Sequence, residues 1–144
     1  MINNSRISKP MKGQIECPVR ALIIDNNKIL LCRPIDKDYF FLPGGHIEFG
    51  EYAKDTLNRE IMEELGVGVR KVQSLGFIDN IYDDKDEGMT RHEINLIYFV
   101  ELLSTKLKLT EEHISFEWVN VLDMEKINLL PAPVKRFIIE WVKK

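Results

Sequence analysis

Residues 45–67 read GHIEFGEYAKDTLNREIMEELGV, and the second half of this stretch changes period from what precedes it. Leu57, Ile61 and Leu65 recur every four residues, Ala53 extends the series, and Gly66 stands where a helix commonly ends on a left-handed residue. The spacing predicts a helix over about residues 52–65. At ~100° per residue, Glu60, Glu63 and Glu64 fall at about 0°, 300° and 40° on its wheel, and the apolar stripe is centred near 100°. The acids therefore lie at the margin of the buried face, a poor place for charges that only solubilise. Glu60 and Glu64 also repel each other at i, i+4, by about 0.2–0.5 kcal/mol on an exposed helix. Arg59 can pair with Glu63 at i+4 but lies about 100° from Glu60, leaving the cluster net negative. Oxygen-only carboxylate clusters suit hard dications, and Mg²⁺ usually completes its shell with waters and substrate phosphates. Mg²⁺-dependent phosphate chemistry is the expectation.

Outward from this helix the chain reads mostly as strands. The run Ile15, Val19, Ala21, Leu22, Ile23, Ile24 is followed by Asn26-Asn27 and then Ile29-Leu30-Leu31-Cys32, which predicts two strands joined by a tight turn. Tyr39-Phe40-Phe41-Leu42 leads into Pro43-Gly44-Gly45, where helix is excluded. Residues 69–81 and 91–102 read as a long hairpin around the acidic loop Asp83-Asp84-Lys85-Asp86-Glu87-Gly88. Residues 115–119 suggest one more strand, and Val134, Phe137, Ile138 and Trp141 a terminal helix after Pro131 and Pro133. The expected class is α+β, an α/β/α sandwich with a mixed sheet.

The chain has 144 residues, 44% hydrophobic and 30% charged, with a net charge of −3. That length suits one domain, expected over residues 14–144 after a frayed polar leader over 1–13. The charge speaks against a nucleic-acid or anionic-membrane binder. The apolar runs are too short for a signal peptide or a membrane span. Cys17 and Cys32 lack metal-ligand spacing and read as reduced, buried thiols of a cytoplasmic protein.

The stretch Gly45 through Glu51, then seven residues, then Arg59-Glu60-Ile61-Met62-Glu63-Glu64-Leu65-Gly66-Val67 resembles the Nudix box, G-x5-E-x7-R-E-U-x-E-E-x-G-U, at every specified position. The strand pattern around it is similar to the Nudix fold over about residues 14–143. The resemblance implies a pyrophosphohydrolase cleaving a nucleoside diphosphate linked to another moiety, with Mg²⁺ or Mn²⁺ held on the helix. Carried over by position, Glu60 and Glu64 would ligate the metal, and Glu63 would be a further ligand or a supporting acid. Arg59 would orient a glutamate. Gly44 and Gly45 would let the loop backbone approach metal and substrate, and Glu51 would brace the loop or bind a second ion. For the general base the family offers a helix acid, Glu64, or a later loop acid, Glu112.

Arg33, ending the second strand, stands where some relatives hold a substrate phosphate; a plain surface arginine is the alternative. His46 and His92 read first as loop and hairpin-end residues, Phe40 and Phe41 as core, and Trp141 as part of the terminal helix stripe. The window past the box, Ile81-Tyr82-Asp83-Asp84-Lys85, lacks the proline of ADP-ribose-specific relatives and has the tyrosine of dinucleoside-polyphosphate relatives off register. A nucleoside triphosphate, ADP-ribose or a nucleotide sugar therefore all stay open as the small-molecule partner. The rival readings are a nucleotide sensor without turnover and an RNA-decapping enzyme. The intact box opposes the first, and the absence of a basic track opposes the second. Homodimers are common among similar proteins, but the sequence shows no interface.

Overall fold

The computed structural model describes residues 13–109 and 111–144. The leader expected over 1–13 lies, apart from Gly13, outside the described residues. In chain order come β1 (Ile15–Glu16), β2 (Pro18–Leu22), β3 (Ile24–Asp25), β4 (Lys28–Pro34), β5 (Gly44–His46), α1 (Ala53–Leu65), β6 (Val69–Asp84), β7 (Met89–Leu102) and β8 (Ile114–Asn120). A 3-10 turn (Val121–Lys126) and α2 (Ala132–Val142) complete it.

A five-stranded mixed sheet is centred on β7, which pairs antiparallel with β6 on one side and parallel with β1 and β2 on the other. β2 carries β5 on its far edge, antiparallel. β3, β4 and β8 form a smaller antiparallel sheet. Strand alternation feeds two cores. Val19, Ala21, Tyr98 and Val100 meet Leu57, Ile61 and Leu65 of α1, while Leu22 and Ile97 join Ile29, Leu31, Leu42, Met124, Val134 and Ile138 on the α2 side. β4 contributes to both, Leu30 to one and Leu31 to the other, which is why Ile29-Leu30-Leu31-Cys32 reads as an unbroken apolar run. Helices on both sides of sheet bear out the expected sandwich.

Two local expectations need correction. The run 15–25 is not one strand: it is cut at Cys17 and Ile23, and its last two residues, β3, belong to the second sheet. The Asn26-Asn27 turn is where expected, with φ of 50° and 61°, the left-handed pair that a two-residue hairpin needs. The acidic loop is shorter than its composition suggests, because Asp83 and Asp84 continue β6. Arg91 Nε donates to Asp84 Oδ2 at 2.7 Å, and Asp84 Oδ1 accepts the turn amides of Asp86 and Glu87. The carboxylate thus extends the ladder instead of repelling it open. No helix among the described residues is long and apolar enough to cross a membrane.

The α1 stripe sets the orientation of everything on that helix. Ile61→Ala should therefore cost about 2–5 kcal/mol, read as a lower urea midpoint at unchanged slope. Phe49→Ala, at a wholly exposed loop residue, should stay within about 0.5 kcal/mol. Equal effects would mean that α1 is not seated by this stripe.

Candidate active site

β5 is short because it is made of Gly44, Gly45 and His46, laid against β2 with Gly45 opposite Val19 and Gly44 opposite Arg20. Both glycines are required by close approach. A Cβ on Gly44 would strike the Val19 carbonyl, and one on Gly45 would strike the Glu60 carboxylate. The chain then loops through Glu51 into α1, which begins at Ala53 and ends on Gly66, a left-handed residue at φ 66° whose amide donates to the Met62 carbonyl.

Glu64 is 5% exposed, and its Oε2 accepts the Gly44 amide at 3.2 Å. Burial, reinforced by the charges of Glu60 and Glu111, pushes its carboxyl up to about 8, against the opposing pull of the Gly44 amide and Arg20. Glu60 is raised as well, again chiefly by burial, with Arg59 opposing and Glu63 and Glu111 adding to the rise. Two carboxylates one turn apart on the helix, both resisting ionisation, are donors of the kind that could hold a hard cation.

Arg59 ties loop to helix. Its Nε and Nη2 donate to the two oxygens of Glu51 at 2.9 and 3.0 Å, its Nη1 to Glu60 Oε1 at 3.0 Å, and its Nη2 to the His46 carbonyl at 3.4 Å. It also lies 3.5 Å from Glu63 Oε2. The reading that Arg59 stands clear of Glu60 is therefore corrected: the wheel places Cβ atoms, and a long side chain bends across the interval. Glu51 further accepts the Thr56 hydroxyl at 2.6 Å and the Glu48 amide at 3.3 Å, and Arg59 and then Thr56 hold it down at about 2. Its oxygens are committed to the loop.

Glu60, Glu64, Gly44 and Gly45, with Arg59, Glu51 and Glu63, are thus brought together in one place, as the resemblance implied. Other candidates lie elsewhere. Arg33 places its guanidinium 5.9 Å from the Phe40 ring centre and has no described contact with the helix acids. The arginine that reaches Glu64 electrostatically is Arg20, which donates to the Leu42 carbonyl at 3.2 Å and faces the Phe41 ring. Among the loop acids, the charge felt at Glu60, Glu64 and Cys32 is that of Glu111; Glu111 and Glu112 are both exposed. Cys32 is buried and its thiol pushed far up by burial and by Glu64, so it is an inert bystander. Arg20, Thr56 and Glu111 were missed because no local pattern marks them.

The raised Glu64 carboxyl has a thermodynamic consequence. Below the unfolded value near 4.5 both states are protonated; between there and about 8 the folded state keeps a proton that the unfolded chain has lost, so stability falls as pH rises. Chelator-treated protein should lose stability between pH 5 and 8 by at most ~1.4 kcal/mol per unit, and Glu64→Gln should flatten that slope. Urea melts across the range read it, and an identical slope in both proteins would refute it.

Comparison with known proteins places this geometry. The family model of the NUDIX domain matches residues 17–142. Nucleoside triphosphatase NudI of Escherichia fergusonii is 34% identical over 131 residues, 84% of this chain and 91% of that protein. ADP-ribose pyrophosphatase of Methanocaldococcus jannaschii is 30% identical over 126 residues, 85% of this chain and 72% of that protein. The crystal structure of a MutT NUDIX hydrolase from Burkholderia pseudomallei has a TM-score of 0.69 at 27% identity, covering 90% of this chain and 98% of that one. With its helix acids gathered under a glycine strand and a profile match that takes in both sheets, the chain belongs to the NUDIX domain family of hydrolases.

Proposed function

We propose that this chain hydrolyses a phosphoanhydride bond of a nucleoside triphosphate, using a divalent cation, Mg²⁺ or Mn²⁺, held by Glu60, Glu64 and the Gly45 carbonyl. The observation that carries this is the pairing of half-buried Glu60 with buried Glu64, the latter pushed up to about 8, beside a glycine strand that leaves room for no side chain. Oxygen donors of this kind fit a hard dication. The triphosphate is preferred over ADP-ribose because the nucleoside triphosphatase relative matches at higher identity and over more of its own length.

When bound, the cation neutralises charge on the phosphoryl oxygens. The remaining work falls to the chain. Glu64 accepts the proton of the attacking water as the water oxygen bonds to phosphorus and the bridging P–O bond breaks, acting from its buried place against the Gly44 amide. Glu111 stands as the alternative acceptor, since its charge reaches the same acids. Arg59 and Glu51 act by position: they hold the loop so that Gly45 stays against Glu60. Glu63, half-exposed beside Arg59, supports the pair from outside. The two free cysteines, Cys17 and Cys32, suit a reducing cytoplasm.

Phosphate and pyrophosphate release should be followed over nucleoside triphosphates, ADP-ribose, nucleotide sugars and dinucleoside polyphosphates with Mg²⁺ or Mn²⁺. A triphosphate should rank first. Glu64→Gln should lower kcat by on the order of 10²–10³-fold or more. Glu51→Gln should lower activity by about 10–100-fold, as expected for a positioning residue. Binding without turnover of any compound would favour the sensor reading. A Glu111→Gln loss as deep as that of Glu64→Gln would move the base to the loop.

A further inference from the structure

A second group of ligand-bearing side chains lies on the other side of β5. Glu16 of β1, His46 of β5 and Glu93 of β7 each bring one ligand atom into a cluster whose atoms all lie within 4.8 Å of one another. The sheet explains the convergence. β1 and β7 are parallel neighbours with Glu16 directly opposite Glu93, and His46 is opposite Pro18, two residues along from Glu16. Successive side chains of a strand take opposite faces, so Gly45 lies against Glu60 of α1 while the His46 imidazole turns to Glu16.

Within this cluster the accounting of partners does not close. Glu93 is 8% exposed, its charge reaches the Tyr82 hydroxyl, and its carboxylate makes no hydrogen bond or ion pair among the described residues. Glu16, in register beside it on the neighbouring strand, sets a second carboxylate against the first. Arg91 relieves this only in part. Its Nη1 donates to Glu16 Oε1 at 3.2 Å, but its Nε is engaged at 2.7 Å with Asp84. Counting Glu16, Glu93 and Asp84 against Arg91 leaves two negative charges, with Glu16 Oε2, His46 Nε2 and the Glu93 carboxylate converging on one point. Two positions along β7, the side-chain oxygen of Asn95 is fully buried without a partner among the described residues.

We propose that Glu16, His46 and Glu93 form a second divalent-cation site, separate from Glu60 and Glu64, that takes an ion of the zinc class. The donor set decides the ion: one imidazole with two carboxylates suits Zn²⁺, whereas Mg²⁺ and Ca²⁺ prefer oxygen alone. Three protein ligands and a water make a familiar open zinc shell. Bonds of ~2.0–2.2 Å put tetrahedral ligand atoms about 3.3–3.5 Å apart. His46 Nε2 and Glu16 Oε2, at 3.2 Å, are already spaced as two such ligands, and Glu93 brings a third ligand atom within 4.8 Å. The ion fastens β1, β5 and β7 together behind the glycine strand, and so fixes the strand whose other face receives Glu60.

The test uses the full chain, chelator-treated, with the helix acids disabled by Glu60→Gln and Glu64→Gln. Zn²⁺ is titrated by calorimetry and Co²⁺ by its visible absorption. The expected result is one ion per chain of either metal, undisturbed by millimolar Mg²⁺, with the Co²⁺ spectrum showing nitrogen ligation. Adding Glu93→Gln or His46→Gln should weaken binding by more than the ~10–100-fold that loss of an outer-shell partner costs. Urea melts of each variant in metal-free buffer check that the fold persists, and Glu16→Gln replaces any variant that fails. No uptake by the chain lacking its helix acids, or unchanged affinity after Glu93→Gln, overturns the proposal; in either case His46 and its neighbours are only a surface ion pair.

Discussion

Arg59 divides its planar fork among Glu51, Glu60 and the His46 carbonyl, and the geometry of the site hangs on that division. A lysine could not replace it. A point charge can satisfy one carboxylate, whereas the guanidinium meets both oxygens of Glu51 while a further nitrogen holds Glu60. Glu51 in turn fastens the loop through Thr56 and the Glu48 amide. The result is a rigid strap from β5 to the middle of α1, which brings a buried acid within contact of a glycine. Without the strap, Glu60 and Glu64 would be two like charges on a helix flank with every reason to rotate toward water.

What opposes that rotation is apolar. Leu57, Ile61 and Leu65 are fully buried against β2 and β7, so α1 cannot turn without exposing them. Hydrophobic burial therefore supplies the free energy that keeps an unfavourable charge arrangement in place. This is a common form of trade between stability and activity. Glu64 shows it most directly: seated among buried residues and beside Glu60, it is held in a state that a dication would relieve.

The parts legible in the sequence are those whose cause is local. A four-residue apolar repeat, a terminal glycine and an acid triplet lie within one stretch, and an asparagine pair that accepts positive φ is self-declaring. The illegible parts depend on contacts between distant segments. Nothing in the sequence marks Arg20 until β2 is laid beside β5, or Glu111 until its charge is felt at Glu64. The cut at Ile23 was hidden for a different reason. An apolar run carries no mark of which sheet each of its parts joins. Asp83 and Asp84 misled in the opposite sense, since composition reads acids as loop while a single arginine across the ladder makes one of them a strand residue.

The glycine strand explains why both acidic groups are possible in one small protein. β5 has only three residues, and its two faces are chemically unlike: one is stripped to glycine so that helix carboxylates can reach the backbone, while the other carries the imidazole of His46 toward Glu16. A strand lacking side chains on one face has little packing to hold it there, and its position must come from hydrogen bonds to β2 and from whatever grips the other face. A shift of β5 would carry Gly44 with its amide away from Glu64 and Gly45 away from Glu60 together. The order of the site therefore depends also on contacts made on the face of β5 away from Glu60, where Glu16, His46 and Glu93 lie together.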